Sequence, residues 1–383
     1  MAHTPREDFG DVGAELAPPE LAWRDRQTYL ESRGYMLRPR YRPGWIPSWR
    51  SDPSIRPFFA EDFVRAPAFR DHLIDATRVS DGKLVLLKRV AADSVEVKIA
   101  SYFSSPEIRE DPCNHCIPVL DVIPDKDDPS KCYLVMPFLR YVDRPPFESI
   151  QSILDCGEQL LEGLVFMHEH GVAHRDCAYK NLMMDATLLY PQGFHPVRFD
   201  QLPQNLRWSA PIRSRADVAV TYYLVDFGIS FWFQPNETDR LVLGTSGLDQ
   251  DVPELSDDVP YDPFKLDIFV LGNFFRQHFT GKFTNLNFLD PLICQMTDED
   301  PARRPNASDA LRQWKRLSSS TWSLQRLWRP RPRDSNIVVH AVADAFSLSK
   351  HWSSLVEMLC TAKFVSVAAI AIVINHWHSL SGL

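Results

Sequence analysis

The hydrophobic pattern changes period partway along the chain. Between residues 61 and 140, apolar residues gather in short runs: HLIDATRV at 72–79, KLVLLKRV at 83–90, CIPVLDVI at 116–123 and CYLVMPFL at 132–139. Runs of this length, rich in branched and aromatic residues and bounded by turn formers, predict strands. Ser80-Asp81-Gly82 joins the first two, and DKDDPSK joins the last two. Between the pairs, SVEVKIASYF carries its apolar residues at helical spacing. From residue 148 the helical period takes over. ESIQSILDCGEQLLEGLVFMHEHG reads as one long helix ending at Gly171, because glycine closes helices in a left-handed conformation. Further helices are predicted at 263–280, 286–297 and 307–317. A small sheet unit followed by a larger helical unit makes the chain α+β.

The two ends read differently. Residues 1–60 are rich in Pro, Arg and Trp, as in LRPRYRPGWIPSWRSDP. The prolines predict no long helix in this extension. Trp45 and Trp49 predict a segment wrapped on the folded domain, with a regulatory or docking arm as the alternative. At the other end, RLWRPRPRDS is a basic, proline-broken linker. It precedes FVSVAAIAIVI at 364–374, which is bounded by Lys363 and Asn375. A membrane span needs about 20 apolar residues. A packed terminal helix or strand is therefore expected, with membrane contact through this tail the less favoured alternative.

Composition narrows the classes. A net charge of −8 gives no electrostatic case for nucleic acid. Seven scattered cysteines predict reduced thiols and an intracellular protein, cytoplasmic or nuclear. Cys113-x-x-Cys116 has no second pair to complete a zinc site. The opening MAHTPREDFG has no apolar core of a secretory signal.

The candidate chemistry lies in VAHRDCAYKN at 172–181 and YLVDFG at 223–228. Phosphoryl transfer needs a carboxylate to orient the attacking hydroxyl. It also needs an amide and a second carboxylate to hold Mg²⁺ on the nucleotide phosphates. Both fragments, in this order, resemble the eukaryotic protein kinases over roughly residues 66–316. The spacing between Asp176 and Asp226 is unusually wide, which predicts an insertion at about 186–221 lying outside the cleft. Together with the RPRYxPxWxPSW segment, this resembles a kinase-like family expanded in mushroom-forming (basidiomycete) fungi.

The resemblance implies a two-lobed fold with an extension at 1–60, a β-rich N-lobe at 61–140, a helical C-lobe at 141–317, and a linker and apolar tail at 318–383. It implies an ATP- and Mg²⁺-dependent kinase acting on a protein hydroxyl, Ser/Thr or Tyr undecided. Asp176 is then the catalytic base, and Asn181 and Asp226 the metal ligands. Lys180 would reach the transferring phosphate, since Ala178 stands where serine/threonine kinases usually have lysine. Lys88 matches the lysine on the α- and β-phosphates. Its partner is Glu96, or Glu107 if the loop after Pro106 allows. Met136 is expected at the back of the cleft, and Phe138 in a hinge whose backbone binds adenine. His174 packs as scaffold, while Arg175 offers its guanidinium to a phosphorylated segment. Asp267 braces the catalytic loop, and Glu254 of Val-Pro-Glu forms a buried pair with Arg304. Kinases cover the phosphates with GxGxxG, and the corresponding stretch APAFRDHLIDATRV has no glycine. The alternative is therefore a pseudokinase scaffold.

Overall fold

The structure, a computed structural model, describes residues 13–66 and 71–335. It opens with a helix, α1 (Pro18–Ser32), within the extension where the prolines predict none. The reason is positional. Pro18 and Pro19 occupy the first turn, where no backbone N–H is needed, and no proline follows until Pro39.

A second departure follows at once. β1 (Tyr35–Leu37) pairs antiparallel with β2 (Leu73–Arg78), so the extension supplies an edge strand. The chain runs on through β3 (Leu84–Ala91), α2 (Val95–Phe103), β4 (Asp121–Pro124) and β5 (Lys131–Pro137). The five strands form one antiparallel sheet in the order β1-β2-β3-β5-β4. The β2–β3 turn is as expected, with Gly82 at φ 70°.

Alternation gives the sheet two faces. Ala76, Val85, Leu87, Tyr133 and Val135 pack on one face under Trp23 and Leu30 of α1. The opposite face carries Lys88. The described part of the connection between β1 and β2, residues 38–66, packs on itself and on β2 through Arg38, which donates to Asp75 Oδ2 at 2.8 Å. Trp45 donates to the Asp62 carboxylate at 2.9 Å, and Trp49 is buried edge-on against Phe63. Both tryptophans are thus packed within this segment.

The helical unit begins after β6 (Arg140–Tyr141) with α3 (Ile150–Glu169). Ser149 caps its start, and Gly171 closes its end at φ 74°. Short strands follow: β7 (Val172–Ala173), β8 (Leu182–Met184), β9 (Tyr222–Leu224), β10 (Phe231–Trp232), β11 (Val242–Gly244) and β12 (Ser256–Tyr261). Then come α4 (Pro263–Phe275), α5 (Asp290–Met296) and α6 (Ala307–Ser320). The large core collects the buried faces of α3, α4, α5 and α6. The α+β class is as read. Cys113 is exposed and Cys116 buried, and no cluster of three or more His, Cys, Asp or Glu suited to a metal occurs among the described residues. No described helix is long and apolar enough to cross a membrane; the 364–374 run lies outside the described residues.

Candidate active site

The site is assembled where the sheet meets the loops after α3. Asp267 of α4 is fully buried, and its carboxylate accepts the backbone N–H of His174 at 2.8 Å and of Arg175 at 2.6 Å. That brace holds Arg175 in a left-handed conformation, φ 66°. The expected role of Asp267 is what the structure shows. The His174 ring is buried as scaffold. Its Nδ1 accepts from the Asp176 backbone N–H at 3.2 Å, so Nε2 carries the proton toward the Val225 carbonyl at 3.1 Å.

Asp176 and Asn181 meet directly. The Asn181 side-chain amide donates to the Asp176 carbonyl at 2.9 Å and to its Oδ2 at 2.8 Å. This commits the Asn181 nitrogen and leaves its amide oxygen without a hydrogen-bond donor among the described residues. Asp176 Oδ1 accepts the Leu248 backbone N–H at 2.7 Å, a partner that no sequence pattern announces. Burial raises the Asp176 pKa above the ordinary carboxylate value, against the lowering effect of the Leu248 bond.

Lys88 joins the sheet to this loop system. Its Nζ lies 2.6 Å from Glu96 Oε1 and 2.8 Å from Asp226 Oδ1. Glu96 sits in the first turn of α2, capped by Ser94. Glu107 lies exposed on a single helical turn, Pro106–Arg109, so Glu96 is the partner. The eight-residue spacing works because α2 starts immediately after β3. Burial depresses the Lys88 ammonium, but the two carboxylates outweigh it and raise its pKa. They share it unequally. Asp226 is held below the usual carboxylate range despite burial, whereas burial wins at Glu96 and raises it. Asp226 also adopts a left-handed conformation, φ 67°. Phe227 beside it is buried against Phe103 of α2 and the His174 ring.

Other expected residues fall as follows. Glu254 and Arg304 form a bidentate pair, 2.5 and 2.9 Å, with the Arg304 side chain fully buried. Arg175 donates to the Leu243 carbonyl at 3.1 Å and the Tyr261 hydroxyl at 3.0 Å. Lys180 is exposed and has no ion-pair partner among the described residues. Met136 is buried opposite Leu86, on the face of Lys88. Phe138 directly follows β5, and its backbone N–H donates to the Leu84 carbonyl at 3.3 Å. Its ring lies near Phe194 and Phe199 of the insertion.

The insertion packs against the rest of the molecule. Leu189, Tyr190, Phe194 and His195 are buried. Arg140 stacks over Tyr190 and Phe194 at 4.7 and 4.9 Å and donates to the Phe199 carbonyl at 2.7 Å. The insertion and the connection 38–72 touch, through Arg198 over the Phe58 ring at 4.1 Å. Together with Phe138 and the sheet they line a cavity of about 1110 Å³. The segment between the first two strands of the sheet is 38–72, and APAFRDH is only its end; residues 67–70 lie outside the described part.

The donor set can be tested against Mg²⁺. That ion takes hard oxygens and keeps several waters, and the Asn181 amide oxygen with the Asp226 carboxylate supplies two such ligands. The chain matches no known protein-family model.

Proposed function

We propose that the protein is a two-lobed, protein-kinase-like phosphotransferase that moves the γ-phosphate of ATP to a protein hydroxyl with Mg²⁺. The observation that carries this reading is the single ammonium of Lys88 between Glu96 and Asp226, next to the bonded Asp176–Asn181 pair. These groups come from a strand, a helix and two loops. No folding requirement places two carboxylates on one ammonium beside a bonded Asp–Asn pair, so the grouping points to a ligand that needs them.

In the proposed step, Asp176 accepts the proton of the substrate hydroxyl as its oxygen bonds to the γ-phosphorus. The bond from that phosphorus to the β-bridging oxygen breaks, and ADP leaves. Lys88 neutralises the α- and β-phosphates while Glu96 fixes its position. Asn181 and Asp226 would hold Mg²⁺, which supplies charge compensation for the phosphates. Lys180, exposed beside the loop, can approach the transferred group.

A second reading is a non-catalytic scaffold. It is favoured by the connection 38–72, which contains one glycine, Gly44, rather than GxGxxG. The deciding measurement is the thermal shift of the folded chain with Mg²⁺-ATP, wild type against Asp226→Asn, followed by autophosphorylation. A shift and phosphate incorporation in the wild type alone support the enzyme. No shift at millimolar nucleotide would leave the scaffold.

A further inference from the structure

The basic residues of α6 fall into two groups. Lys315 reaches back to the molecule's own acids, 2.7 Å from Glu162 and 3.5 Å from Glu158 of α3. Arg312 and Arg316 instead line a hollow of about 350 Å³, together with Arg303 from the turn before α6. Gln295 of α5 and Gln313 of α6 complete its polar wall. The cationic groups are open to solvent: the Arg303 side chain is 73% exposed and that of Arg312 61%, and Arg316 is exposed as well.

Little within the chain answers these charges. Arg312 donates to Asp309, one turn back, at 2.7 Å, and Arg303 lies 3.6 Å from Asp300. Exposed pairs of this kind contribute little. Arg316 has no hydrogen-bond or ion-pair partner among the described residues, and neither have the side-chain amides of Gln295 and Gln313. Against three guanidiniums the lining sets one carboxylate, that of Asp309.

The fold gains nothing from this placement. Like charges four residues apart on a helix destabilise it, and Arg312 and Arg316 are so spaced on α6. A cation near a helix N-terminus opposes the macrodipole, and Arg303 stands three residues ahead of the Asn306 cap. An anion held between the three guanidiniums offsets both costs.

The lining narrows the choice of anion. A guanidinium fork grips a carboxylate or a phosphate with two parallel bonds. A carboxylate brings one charge, whereas a phosphate monoester brings nearly two charges and three acceptor oxygens, which suits three arginines. Small-molecule sites are mostly apolar, and this lining holds no aromatic ring and a single apolar residue, Pro305. A free nucleotide would gain little there beyond its phosphate. The two glutamine amides each offer a donor and an acceptor, the pair that a peptide bond matches. We infer that the hollow binds a phosphorylated side chain of a partner protein, as arginine clusters do in phosphopeptide recognition. None of Lys88, Asp176, Asn181 or Asp226 lines it, so its ligand is independent of the proposed phosphotransfer.

Titration calorimetry of the full chain tests this with a peptide of alanine and glycine around one phosphoserine, its unphosphorylated twin, and inorganic phosphate. The wild type is expected to bind the phosphopeptide, to ignore the twin, and to bind inorganic phosphate about tenfold more weakly, the scale of one added hydrogen bond. Arg316→Gln removes no polar contact of the folded chain and should weaken the phosphopeptide about tenfold or more. Arg316→Lys keeps the charge but loses the fork, and should weaken it too. Lys315→Gln deletes the same charge outside the hollow and should leave binding unchanged. Equal weakening by Lys315→Gln and Arg316→Gln would mean general charge attraction and overturn the inference. So would equal binding of the two peptides, or no phosphopeptide binding at millimolar concentration. Inorganic phosphate bound as tightly as the phosphopeptide would give the hollow to the free anion and remove the partner protein.

Discussion

Asp226 and Arg175 are the non-glycine residues with positive φ among those described, and both belong to the candidate site. Such conformations cost on the order of 1–3 kcal/mol each and persist because Lys88 and Asp267 hold them. Asp176→Asn gives up the Asn181 bond to Oδ2 but keeps the Leu248 bond and the Asn181 bond to its carbonyl, so it should still fold, and should lower phosphoryl transfer by about 10²–10⁴. Unchanged autophosphorylation would remove Asp176 from its role. Glu254→Ala strands the buried Arg304 guanidinium. A loss of about 3–5 kcal/mol is expected from urea unfolding. His278 gives a pH signature. Burial, with Lys282 beside it, lowers its pKa from 6.5 to about 4. The unfolded chain binds this proton first as pH falls, so stability declines from pH 6.5 to about 4. His278→Phe keeps the stack on Tyr179, and its urea midpoint should fall less over that window than the wild type's. At this scale Asp176 and Asn181 were legible because one short loop sets them five residues apart, whereas the meeting of Lys88 with Asp226, 138 residues on, was reached only through the resemblance. The hollow of Arg303, Arg312 and Arg316 was not legible, because a turn and two helices close it only in the folded chain.

Strands and helices with clear periodicity appear where the pattern put them, as with Leu73–Arg78, Leu84–Ala91 and Ile150–Glu169. The miss at α1 came from counting prolines over a window instead of placing them. β1 was missed for another reason: YML is three residues long and is a strand only because β2 pairs with it. Close packing of elements can be probed at Gly157. A methyl group there would overlap the Trp314 indole, which is fully buried and donates to the Leu154 carbonyl at 3.1 Å. Trp314 cannot withdraw without losing that bond. Gly157→Ala is therefore expected to separate α3 from α6 and cost about 1–3 kcal/mol as overpacking. A thermal midpoint equal to wild type would show that α6 yields freely.

Across the whole molecule, the sheet unit and the helical unit are joined by more than the chain at Phe138. The connection 38–72 and the insertion meet through Arg198, which donates to the Phe58 carbonyl at 2.7 Å, and through Arg207 over Phe59 at 5.3 Å. Excising 186–215 should uncover the faces it buries, leave Arg140 without its Phe199 and Asp200 partners, and lower the unfolding temperature. Full stability after excision would mean that the segment is a passenger. The ion set around Lys88 has one more consequence. Glu96 and Asp226 put two carboxyl groups against one ammonium, and Asp176 adds a further carboxyl beside Asn181. A bare polyphosphate approaching that end of the site meets like charge. The divalent ion must then arrive with the nucleotide or ahead of it, and nucleotide supplied in excess of Mg²⁺ will be a poorer ligand than the same nucleotide fully complexed. If the proposed phosphotransfer is its activity, free Mg²⁺ would govern turnover as directly as ATP.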